Sequence, residues 1–419
     1  MSGTLLIRGA RQLLTLHGPT ECRRGSALRE LGLIRDGAML IEDGRIVEVG
    51  PGRRIENLAQ ARRAQEIDAT GRVVMPGFVD CHTHLVWGAA WLDAYEARIT
   101  GAGEGVGPGP ESTRRVLRSA SVRRLESRAR QFVNGMVRHG TTTAEGKSGY
   151  GFDEKSELKM LRVQERLDGT PLDVTSTFLT APHLPETSER GRAGYFSQVS
   201  SEFLATIRRR RLARFAGLRC CEHAGEIEQG RLYLNAAREL GFEIKIHASG
   251  RQPSLAVRLA AEVGAASVDG LCEVTGEEVS VLARTNAVAV LLPGTVFHDP
   301  HARCAGARDL IDGGAAVALA TNFNPGTSPT YSMQTIIALA CAYLRMTPAE
   351  AISTATINAA WATRVAHKAG SLEAGKSADV LVLNAADYRE IPYHFGVNLV
   401  HRTVKRGVTV YQEGSVAGR

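Results

Sequence analysis

Val73-Val-Met-Pro-Gly-Phe-Val-Asp80-Cys-His82-Thr-His84-Leu85 opens the middle of this chain. An apolar run of β character ends in two histidines one residue apart. Alternate residues of a strand project from one face, so His82 and His84 can aim both rings at one point. Paired imidazoles suit a divalent metal. Two unrelated histidines at a strand end are the plain alternative, and the surrounding sequence has to choose between them.

Outward from this stretch, strands alternate with helices. Strands are expected at 73–80, 140–146, 173–179, 217–222, 242–247, 265–269, 286–292 and 315–321. Between two of them, Val122, Leu125, Ala129, Phe132, Val133 and Met136 share one helical face, closed by Gly140. Asp153 is placed to cap a helix, and Thr275 with Glu278 forms a capping-box pattern. Eight strands alternating with helices over roughly 290 residues predict a (β/α)8 TIM barrel, whose chemistry sits at the C-terminal ends of its strands. The two ends of the chain are all-β in pattern: Asp43-Gly44 marks a hairpin, and a second turn falls at Arg406-Gly407. We expect a barrel over 73–366 and a small β-sandwich domain built from 1–72 and 367–419.

Composition narrows the function classes. The chain has 419 residues, 43% of them hydrophobic, enough for a large core. No uncharged apolar run reaches the ~18 residues of a membrane span. Seven scattered cysteines without a C-x-x-C predict a reduced, cytoplasmic protein. The net charge of +7 comes mostly from arginine, with the densest run at Arg208–Arg211, but with aromatic residues at only 5% and none interleaved there, a solvated helix end is the better reading than a nucleic-acid patch.

Polar residues gather at the expected strand ends. His247 ends the fifth strand and Asn322 the eighth. Three neutral imidazoles, His82, His84 and His247, could hold a metal with an open fourth position, which lowers the pKa of a bound water. Glu222 or His223, after the fourth strand, could carry a proton; His223 could equally be a loop histidine. Lys147 and Tyr150, in a glycine-bracketed loop, could reach a polar substrate, although a turn leading into the Asp153 cap explains the same residues. Residues 101–110, rich in Gly and Pro, read as a lid or a neutral insert. His183 and His298 are weaker candidates.

Several stretches together resemble the imidazolonepropionases, histidine-degradation enzymes of the metal-dependent amidohydrolase superfamily. They are Pro76–Val86, Glu145–Gly151, Glu157–Arg162, Lys245–Ala248, Val288–Gly294, Thr321–Pro329 and Pro392–Asn398. The resemblance implies a barrel plus a β-domain from both termini, a homodimer, a small-molecule substrate, and one divalent metal, zinc or iron. It places the metal on His82, His84 and His247, and matches Tyr150 to a substrate-contacting tyrosine. It also exposes departures. The aspartate ligand falls on Asn322, which brings no charge and takes no proton from water. The glutamate tied to water activation falls on Gly250, and a second catalytic histidine on Gly270. The carboxylate-binding arginine falls on Trp91, which implies a less anionic substrate. The histidine after the third strand falls on Pro182, beside His183. Asn324 lies in a matching stretch and joins Trp91 and His183 as a candidate for substrate contact.

The expectation is therefore a divergent enzyme and not a working imidazolonepropionase. It would hydrolyse or close a C–N bond in a small polar nitrogen-containing ring, with its metal weakened or lost. A metal-free cyclase, dehydratase or isomerase, or a non-catalytic binding protein, are the other readings.

Overall fold

The computed structural model describes residues 3–18, 20–101, 109–151, 153–180, 199–220, 224–248 and 254–415. Eight parallel strands form the central barrel: Phe78–Thr83, Thr141–Lys147, Asp173–Leu179, Phe215–Cys220, Glu243–Ala248, Ser267–Asp269, Val288–Leu291 and Val317–Leu319. Each pairs with the next in sequence, and a bridge between Thr83 and Phe323 joins the two ends. Chain order equals spatial order, which is what short right-handed βα crossovers produce.

The expected first strand divides in two. Val73–Pro76 pairs with Val380–Leu383 in a second sheet, and the barrel strand begins at Phe78. Gly77 is the joint. A Cβ there would lie 2.2 Å from the Thr142 hydroxyl, so the backbone can pass only without a side chain. The second sheet also has eight strands, seven of them in one path, and joins residues of both termini: Val380–Leu383 lies between Val400–Lys405 and Val73–Pro76. Its hairpin of Leu33–Glu42 and Arg45–Pro51 turns at Asp43-Gly44, both with positive φ, as read from the sequence.

The helices follow their patterns. Val122–Arg138 buries Leu125, Ala129, Val133 and Met136 and is capped by Ser121. Asp153 accepts from the Ser156 amide to start Glu154–Leu167, and Thr275 with Glu278 completes a capping box before Gly276–Ala283. These helices cover the outer face of the barrel, and Glu145, Lys147, Lys245 and Asp269 inside it are buried. Among the described residues, no helix is long and apolar enough to cross a membrane.

Candidate active site

The site rests on a layer of buried charge. Along Thr141–Lys147, alternate residues face the barrel axis, which brings Glu145 and Lys147 inward. Glu145 receives Lys147 and Lys245, each at 2.7 Å, and the Thr177 hydroxyl. Asp269 receives Lys147 at 2.9 Å and the Ser267 hydroxyl at 2.6 Å, and its Oδ2 lies 2.7 Å from His82 Nδ1. Two carboxylates and two ammonium groups balance within one network, all about 1% exposed or less. Burial pushes Asp269 up, but Lys147, Lys245 and His82 more than offset it and hold the carboxyl well below its usual range. Burial acts against the Lys147 ammonium too, and Asp269 and Glu145 reverse it, so Lys147 is raised.

Above this layer stand three rings. His82 lies 5.7 Å from His84 and 5.0 Å from His247, centroid to centroid. Burial pushes all three imidazoles down, His84 and His247 strongly, with the charge of His82 adding to both. They are therefore neutral near pH 7. His82 Nε2, His84 Nδ1 and His247 Nδ1 are buried without a hydrogen-bond partner among the described residues. Unpaired imidazole nitrogens at this spacing are the donors a divalent metal takes. Asn322, 7% exposed, sits at the eighth strand's end with φ +50°, and its amide donates to the Thr295 hydroxyl at 3.0 Å. No carboxylate joins the rings from the eighth strand. Among the described residues, no three His, Cys, Asp or Glu side chains are arranged to enclose an ion. The three imidazoles supply donors, but the set lacks the anionic ligand that would close it.

His84 and His247 form the floor of a cavity of about 430 Å³. Tyr150 packs edge-on against His84 at 4.9 Å, and Trp91 against Tyr150 at 6.1 Å, making an aromatic wall. Burial drives the Tyr150 phenol up to about 12, against the pull of Arg219. Trp91 is held by its indole N–H on Thr113 at 2.9 Å, and its ring lies over Gly326, where a Cβ would come within 2.5 Å.

The structure thus brings together His82, His84, His247, Asn322, Tyr150 and Trp91. Two expected substrate contacts stand differently. Lys147 belongs to the buried network, 1% exposed, because inward parity places it between Glu145 and Asp269 and below the cavity. Asn324 touches the cavity, but its amide is occupied by the turn: Oδ1 accepts from the Gly326 and Thr327 amides at 2.8 Å, and Nδ2 donates to Asn322 O and Thr327. His298 stacks on Tyr95 at 4.6 Å. Glu222, His223 and His183 lie outside the described residues, as does most of the 101–110 loop. Sequence reading missed Arg219. The fourth strand was expected at 217–222, which drew attention to Glu222 and His223. The strand spans Phe215–Cys220, and Arg219 lines the cavity from its end.

Comparison with known proteins agrees with this geometry. Residues 73–410 match the model of the amidohydrolase family. The chain belongs to the amidohydrolase family. It is thereby a member of the hydrolases that act on C–N bonds. An imidazolonepropionase of Geobacillus thermodenitrificans (strain NG80-2) is 40% identical over 98% of this chain and 99% of its own. Among solved structures, a triazine hydrolase variant superposes with a TM-score of 0.74 at 15% identity, covering 98% of this chain and 95% of that one. An adenosine deaminase of Xanthomonas campestris with bound zinc gives 0.68 at 16%, covering 97% and 92%. At these identities the two structures speak for the fold alone.

Proposed function

We propose that this amidohydrolase breaks or closes a C–N bond in a small, polar, nitrogen-containing ring of cyclic-amide type, and that it is not an imidazolonepropionase. The observation that carries the second half is Asn322, a neutral amide at the strand end beside three neutral imidazoles. The first half is supported by the kinship with imidazolonepropionases and by a cavity floored by imidazoles and walled by Trp91 and Tyr150. A planar ring fits against such a wall edge-on or stacked.

In the hydrolytic direction, water adds to the ring carbonyl carbon, the C–N bond breaks, and the proton passes to the leaving nitrogen. A neutral His84 or His247, lining the cavity and with an unpaired ring nitrogen among the described residues, is suited to take the proton from water. Asn322 and Thr295 hold the polar edge of the ring, and Tyr150 orients it. A zinc or iron ion, when bound, would sit on His82, His84 and His247 and polarise the carbonyl or the water; without the carboxylate, its affinity is expected to be low.

The test is turnover of the purified protein on imidazolone-5-propionate and on a panel of five- and six-membered cyclic amides, with and without a chelator. Hydrolysis of one panel member, with imidazolone-5-propionate left intact, is the expected result. Opening of imidazolone-5-propionate at a rate typical of such enzymes would sink the proposal. A second reading, a metal-independent cyclase, dehydratase or isomerase, is favoured by the engagement of the Asn322 amide with Thr295. Activity that survives chelation supports it, and strict dependence on added zinc or iron removes it.

A further inference from the structure

We propose that Cys272 and Cys304 are a modification site: exchange with a small-molecule disulfide joins them in a reversible disulfide bond that fastens together two segments of the cavity wall. This site stands apart from the proposed reaction, which uses neither thiol.

The two residues are distant in sequence and opposite each other in the fold. Cys272 follows the sixth barrel strand, and Cys304 lies between the helices Pro293–His298 and Ala307–Asp312. Two contacts join their segments. The Ala305 amide donates to Leu271 O at 2.9 Å, and Arg303 lies 3.5 Å from Glu273. One segment advances as the other recedes, so the pairing is antiparallel, and Cys272 stands opposite Cys304 between the two contacts. In an antiparallel pair, the position next to a hydrogen-bonded couple brings its Cα atoms to about 4.5 Å, with both side chains on one side. A disulfide needs Cα atoms roughly 4.4–6.8 Å apart. Both residues are half-buried, carry free thiols and line the cavity, from which a small disulfide can reach them.

The local chemistry favours a bond that lasts once made. Cys272 Sγ donates to Gly270 O at 3.7 Å, a weak bond, so little holds it away from Cys304. Burial pushes both thiols up, Cys304 to about 12, with the charge of Cys272 adding to it and the Leu292 amide offsetting part of it. Thiols of high pKa are poor leaving groups, which makes their disulfide slow to reduce. Cys272, the less perturbed of the two, reacts first. Its thiolate attacks one sulfur of the small disulfide, whose S–S bond breaks and releases one thiol. The Cys304 sulfur, on losing its proton, then attacks Cys272 Sγ and releases the second thiol. Two protein thiols give up two electrons and two protons, and the small disulfide becomes two thiols. The new bond ties the end of the sixth strand to the segment before Ala307–Asp312, which the Ala305 hydrogen bond and an exposed, weak ion pair otherwise join.

The probe is oxidised glutathione. The full-length protein is reduced, incubated with millimolar oxidised glutathione, blocked at its remaining thiols and digested without reductant. Two of its seven thiols should be lost, and the tryptic peptides 259–284 and 304–308 should appear joined. Cys304→Ser should stop at the first step, with one glutathione held on Cys272; a melting curve verifies that the variant folds. Hydrogen exchange over residues 299–306 should be slower in the oxidised wild type than in the reduced. Seven thiols left after incubation, a link from either cysteine to any other, a covalent dimer, glutathione retained on Cys272 of the wild type, or unchanged exchange in the linked protein would each overturn the proposal. Because no turnover is read, a protein that forms this link but opens or closes no ring overturns the proposed function and leaves the modification site standing.

Discussion

At position 322 one atom decides the character of the site. An aspartate oxygen carries charge and accepts a proton; the Asn322 amide nitrogen donates to Thr295 and does neither. Asp and Asn are nearly isosteric, and both tolerate the left-handed conformation seen here at φ +50°. Asn322→Asp should therefore fold as the wild type does and complete a four-ligand set with His82, His84 and His247. Metal analysis after dialysis against zinc should show occupancy near one ion per chain in the variant and well below that in the wild type, a gain of at least about tenfold in affinity from one added anionic ligand. Equal occupancy in both would show that the rings are not arranged to bind zinc. Position 270 is less easily reversed. Gly270 has φ +76°, and a Cβ there would lie 3.1 Å from the His247 ring, so a histidine at this place requires the sixth strand's end to shift.

At the level of the strands, a buried ion network sets the floor. Lys147 serves both Glu145 and Asp269, and Asp269 in turn fixes which nitrogen of His82 carries the proton. Removing one partner leaves an uncompensated charge in a dry interior, which typically costs about 3–5 kcal/mol. Lys147→Met is accordingly expected to lower the stability read by urea unfolding by about that amount, far beyond an exposed change such as Arg258→Met at the surface pair with Glu277. A loss under about 1 kcal/mol would mean that the network is open to water and does not hold His82. The same strands show what was legible beforehand. The barrel and the His82, His84 and His247 cluster follow from period-two patterns, which depend on neighbours in sequence. Lys147 was placed in a substrate loop because its glycine-rich surroundings resemble a turn, whereas its partner Asp269 stands 122 positions further along, on another strand. Arg219 was missed because the fourth strand was expected two residues too late, and a register error shifts attention past the inward side chain. Pairing across a barrel is set by closure, which local pattern does not reveal.

For the molecule as a whole, burying titratable groups at the floor ties folding to pH. His82, His84 and His247 are held below their ordinary value by burial, so the native state refuses protons that the unfolded chain accepts below about pH 6.5. Stability then falls as pH drops through that value. Asp80 acts in the opposite sense: burial raises it to about 7, so the native state keeps a proton that an unfolded aspartate releases above its ordinary range. Three groups against one leave a net difference of two protons, and the slope between pH 6.5 and 5 is at most about 2.7 kcal/mol per pH unit. Glu145 and Asp269, both lowered, add their losses only in more acid solution, below the ordinary carboxylate range. Urea midpoints of the metal-free protein should accordingly fall from pH 7 to 5.5, and His247→Gln, which removes one of the three imidazoles, should flatten the dependence by up to about a third of the histidine contribution. A midpoint that stays level or rises on acidification would place the imidazoles in contact with water. The floor would then be neither dry nor fixed, and the acid–base role proposed for His84 and His247 would lose its physical basis.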